Sequence, residues 1–60
     1  MTVKQFRKKA DIALKCGEAA LDDGCVLYYH GPQYGWSLHD KDGQTVTTAY
    51  SPEQFEFLFE

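Results

Sequence analysis

Apolar residues recur along the first third of the chain with the period of a helix. At about 100° per residue, Val3, Phe6, Ala10, Ala13, Leu14, Gly17, Ala20 and Leu21 gather on one side, while Lys4, Lys8 and Lys15 share the polar side. The pattern predicts a helix over about residues 2–22. Thr2 and Gln5 have the spacing of a capping box, in which hydroxyl and amide each satisfy a backbone N–H of the first turn. Asp22-Asp23-Gly24 closes the segment, with Gly24 suited to a left-handed cap. Gly17 is its weak point, since an interior glycine costs up to about 1 kcal/mol; a break near Lys15-Cys16-Gly17 into two shorter helices is the alternative. A second stripe, Ile12, Cys16 and Ala19, lies roughly opposite the main one. A surface helix does not require it. Either Ile12 is a solitary exposed apolar residue, or Ile12 and Cys16 mark the seam of a homodimer.

Beyond Gly24 the period changes. Cys25-Val26-Leu27-Tyr28-Tyr29-His30 is a short apolar run between Gly24 and Gly31-Pro32, which reads as a strand. Both of its alternate faces are apolar, so a central strand, or one covered on both sides, is expected. Gly31-Pro32-Gln33-Tyr34-Gly35 has turn chemistry, and Trp36-Ser37-Leu38-His39 alternates as a half-buried strand does. Asp40-Lys41-Asp42-Gly43 is a hairpin turn and Gln44–Tyr50 a β-branched strand. Ser51-Pro52-Glu53-Gln54 has the composition of a helix start. Phe55–Phe59 fits both a helical face and a strand, and the cap decides for a helix. The expected architecture is therefore α+β: an N-terminal helix, a three-stranded antiparallel meander and a short C-terminal helix, in the order α-β-β-β-α.

The chain of 60 residues has room for a single small domain, residues 1–60, with one core. Four Phe, four Tyr and one Trp supply much of its apolar area. Cys16 and Cys25 are too few for a disulfide framework and read as thiols in a reducing compartment. Met1 is followed by a polar, basic stretch with no apolar leader, and no run reaches the ~18 residues of a membrane span. The cytoplasm is the expected location.

Charge is unevenly placed. Residues 1–15 carry Lys4, Arg7, Lys8, Lys9 and Lys15 against Asp11 alone. Residues 16–60 carry only Lys41 against Glu18, Asp22, Asp23, Asp40, Asp42, Glu53, Glu56 and Glu60, and the net charge is −3. An acidic balance disfavours a polyanion, although Lys4, Arg7, Lys8 and Lys15 form a basic helix face that nucleic acid would find attractive. The order α-β-β-β-α resembles that of double-stranded RNA-binding domains. That resemblance implies a lysine cluster at the start of the last helix, where this chain has the acidic Ser51-Pro52-Glu53-Gln54.

Little else points to chemistry. Cys16, Cys25, His30 and His39 carry metal-binding donor atoms, but their spacing matches no zinc knuckle, so neither a metal nor a cofactor is expected. Asp40 and Asp42 suit turn chemistry better than acid–base work. The Asp40–Gly43 run lacks the later ligands of a calcium loop, and no glycine-rich phosphate loop is present. The expectation is a non-enzyme. Aromatic residues cluster around the sheet, and Tyr29, Tyr34 and Trp36 are the expected anchors for another protein. The resulting expectation is a small acidic protein-binding module, a modulator or inhibitor of the kind phages and mobile elements encode. Nucleic-acid binding through the basic helix face is the alternative.

Overall fold

The capping box forms. Gln5 N–H donates to Thr2 Oγ1 at 3.2 Å and Thr2 N–H to Gln5 Oε1 at 2.9 Å. In the computed structural model, which describes residues 1–59, the helix that follows (α1) spans Val3–Cys16. It stops there, short of residue 22, because Gly17 adopts φ 94° and donates its N–H to the Ala13 carbonyl at 2.7 Å. A glycine that weakens a helix interior serves as a left-handed cap with no Cβ penalty.

Freed from the helix, Glu18–Ala20 forms a strand (β1) where helix was expected. A 3-10 turn at Asp22–Gly24 leads into β2 (Val26–Tyr29), followed by β3 (Trp36–His39) and β4 (Thr45–Ala49). The sheet thus has four antiparallel strands in sequential order, one more than the meander expected, and the α-β-β-β-α order is corrected to α-β-β-β-β followed by a 3-10 helix. β2 is an interior strand as its apolar run suggests, though α1 covers only one of its faces. In β3–β4 the register shifts between Leu38 and His39, leaving Val46 opposite no partner, which is the signature of a β-bulge.

Alternation sends Ala19, Leu27, Leu38 and Trp36 inward against Phe6, Ala10 and Ala13 of α1. Phe6 and Leu27 are fully buried, and each such side chain stabilises the fold by roughly 1.5–3 kcal/mol. The C-terminal segment is a 3-10 helix, Pro52–Leu58, rather than an α-helix. It closes the end of the core: Phe55 meets Phe6 edge-on at 6.3 Å, and Phe59 stacks on Phe6 at 4.7 Å. Arg7 ties the two helices together by donating from Nη2 and Nε to Glu56 at 2.8 and 3.3 Å. Among the described residues no helix is long and apolar enough to cross a membrane.

Candidate functional site

Packing on the inner side leaves the outer face of the sheet to its own side chains. The register places Tyr28 opposite Ser37 and Val26 opposite His39 on that face. Both histidines lean over Ser37: His30 Nε2 lies 2.6 Å and His39 Nε2 2.9 Å from the same hydroxyl oxygen. His39 Nδ1 is 3.2 Å from the Gly43 carbonyl oxygen, which only accepts, so that nitrogen carries the proton. In the neutral ring Nε2 is then bare and accepts from the Ser37 hydroxyl, which in turn accepts from His30 Nε2–H. Tyr28 supports both rings, edge-on to His39 at 4.7 Å and stacked on His30 at 6.2 Å. Ser37 beneath them is only 4% exposed. A serine–histidine pair is also the core of a nucleophilic site, but a nucleophile needs an open approach and an oxyanion pocket. Here the two rings occupy the approach.

A second feature stands at the end of the sheet where the β2–β3 turn meets the exit from β4. His30 N–H donates to the Gly35 carbonyl and Gly35 N–H to the Gly31 carbonyl, at 2.8 and 2.9 Å. Gly35 has φ 77°, and a Cβ there would lie 2.5 Å from the Ala49 oxygen and 3.1 Å from the Tyr50 Cα. The turn backbone therefore abuts residues 49–50. Tyr50 is held from the other side, its N–H donating to Gln54 Oε1 at 2.9 Å. Tyr34 and Tyr50 project from this joint, 75% and 84% exposed.

Of the expected anchors, Tyr34 is at the surface. Trp36 is not: it is 5% exposed, on the inner face, and belongs to the core. Its expected role as a partner contact is corrected, because β3 turns residue 36 onto the inner face, where its ring joins the core and packs against Tyr29. Tyr29 packs against Trp36 at 4.5 Å and is half-buried. Ile12 and Cys16 are both exposed on α1, but Ala19, the third member of their stripe, is buried in β1. Lys4, Lys8 and Lys15 remain exposed along one ridge of α1. Arg7 is engaged by Glu56; the hydrogen bond and then the charge of that carboxylate raise its pKa. Glu53, at the start of the 3-10 helix, is held below the usual carboxylate range by its own backbone amide and then by the Ser51 hydroxyl.

Asp40 performs turn chemistry, its Oδ1 accepting from Asp42 N–H at 2.9 Å and Gln44 N–H at 3.0 Å. Both cysteines are free thiols. Cys25 lines a groove of about 390 Å³ with Met1, Leu21, Asp22, Leu38, Leu58 and Phe59. None of these residues places an imidazole beside the thiol, so the groove lacks the base that a cysteine nucleophile requires.

The convergence of the two histidines on Ser37 is not visible in their linear spacing, which shows only that each flanks a strand. Its signal lay in the hairpin register: pairing 28 with 37 sets residues 30 and 39 to either side of Ser37 on one face. Comparison with protein-family models, with curated proteins and with solved structures finds no match.

Proposed function

We propose that this protein is a non-catalytic binding module that recognises another protein through its tyrosine end. The observation that carries this reading is the joint at Gly35, where the turn that holds Tyr34 abuts the backbone of residues 49 and 50 and both tyrosines are exposed. Tyrosine combines a large apolar ring with a polar tip and few torsions to freeze, which makes it a common anchor at interfaces. A modulator that acts by occupying a partner's surface needs no more than this. Two unpaired thiols suit a reducing compartment such as the cytoplasm.

The ridge of Lys4, Lys8 and Lys15 supports a second reading, contact with a nucleic-acid backbone. The two separate in an affinity capture from nuclease-treated lysate. The first reading expects a partner that survives nuclease and disappears with Tyr34→Ala/Tyr50→Ala, while Lys4→Glu/Lys8→Glu retains it. Loss of the partner to nuclease, or to the lysine variant alone, contradicts it and favours the second.

A further inference from the structure

We propose that the free edge of β4 docks an extended segment of another protein as a further strand, a segment uncharged in its middle and basic at its ends. The proposal rests on the reading of the tyrosine end as a protein-binding surface and names the form of segment that reaches it. β4 is the last strand of the sheet. Among the described residues, no backbone hydrogen bond outside the sheet involves residues 45–49, so the N–H and C=O groups that point away from β3 meet only solvent. A row of such groups is a template for another strand.

The two edges of the sheet differ. β1 is three residues long, carries Glu18 and packs against α1. Short length, charge and a covering element are the usual guards of an edge. β4 has five residues, Thr45–Ala49, and residues 43–52 hold no charge. Its guard is the bulge at Val46, which twists the first half of the strand. The regular half, Thr47–Ala49, runs directly into Tyr50, whose own N–H is taken by Gln54. The usable edge therefore ends at an exposed tyrosine.

Charge selects the occupant. Asp42 and Glu53, both exposed, flank the uncharged run, one on either side. The nearest cation, Lys41, sits against Gly24, where a Cβ would lie 2.9 Å from the Lys41 Cβ. Two copies of this chain paired antiparallel through β4 bring Asp42 of each toward Glu53 of the other, and like charges oppose that assembly. A segment with Lys or Arg beyond each end of its strand meets opposite charge at both.

The test is selection of short peptides from a random displayed library on the full chain. The enriched peptide is then made in two N-methylated forms, blocked at odd or at even backbone amides. In an added strand, alternate N–H groups face β4 and the rest face away. The expected result is enrichment of alternating β-branched or aromatic residues with Lys or Arg at the ends. One methylated form keeps its affinity and the other loses about tenfold or more, and bound peptide slows amide exchange within residues 47–49. Asp42→Asn/Glu53→Gln weakens the peptide, with unfolding curves reporting that the variant is folded. No enrichment, equal affinity of the two methylated forms, or unprotected β4 amides would overturn the proposal. Tyr34→Ala/Tyr50→Ala keeps the two readings apart. Loss with the tyrosine variant while the methylated forms stay equal retains the tyrosine end and rejects the strand. Loss confined to one methylated form, with the tyrosine variant unchanged, retains the strand and rejects the tyrosine end.

Discussion

A Cβ at Gly35 would stand 2.5 Å from the Ala49 carbonyl oxygen on a backbone already at φ 77°, whereas one at Gly31, at φ 101°, would meet nothing within 4 Å. Both positions resist an L side chain, but only Gly35 adds a collision with backbone that has nowhere to move. Gly31→Ala is therefore expected to cost about 1–2 kcal/mol, the conformational penalty alone, and Gly35→Ala distinctly more, as read by denaturant unfolding. The aromatic residues divide in the same way. Trp36→Ala leaves a cavity in the core and is expected to cost about 3–5 kcal/mol, most of what so small a domain has to spare. Tyr34→Ala, at the surface, should stay within about 0.5 kcal/mol of the parent. Sequence named both rings as anchors because aromatics cluster around the sheet and its first turn; Tyr34 lies in that turn, and the alternation of residues 36–39 does not say which set faces the helix. That choice is made by the register with β2 and by the position of α1.

At the scale of elements, most of the order was legible: the first helix and its cap, the β2–β3 and β3–β4 hairpins, and the turn chemistry of Asp40 and Gly43. What was missed was β1. Glu18-Ala19-Ala20 has good helix propensity and continues the apolar stripe, so a local reading keeps it helical. The left-handed turn at Gly17 and the pairing of Ala19 with Leu27 override that preference. Ala19→Asp separates the two accounts. On a continuing helix position 19 would face solvent and the change would be mild; in β1 it is 6% exposed, and an unpaired buried charge is expected to cost about 3 kcal/mol or more by thermal or denaturant unfolding. The C-terminal 3-10 helix offers a pH test. The Glu53 carboxyl is held below its ordinary range by the Glu53 amide and the Ser51 hydroxyl. Its contribution is present above the unfolded-state pKa and is lost as pH falls through the lower folded-state value. Glu53→Gln should therefore be less stable than the parent at neutral pH, with the gap narrowing in acid, in paired unfolding curves.

For the whole molecule, size determines the division of labour. One helix and one sheet share a single core, and that core takes Phe6, Leu27, Trp36, Leu38 and Phe55. The opposite sheet face carries Val26, Tyr28, Ser37 and His39, and the end of the sheet Tyr34 and Tyr50. Of the candidate sites, Tyr34 and the lysine ridge could be read from residue type, whereas the histidine pair and the Tyr34–Tyr50 joint arise from cross-strand placement that linear spacing does not display. The proposed role is recognition through the end of the sheet that exposes Tyr34 and Tyr50. Its most direct test is the affinity of the captured partner for the parent chain and for Tyr34→Ala/Tyr50→Ala, measured by calorimetry with unfolding curves alongside. The expected result is a loss of about 30-fold or more, equivalent to the roughly 2 kcal/mol of an interface anchor, at unchanged stability. Equal affinity in the two proteins would contradict it.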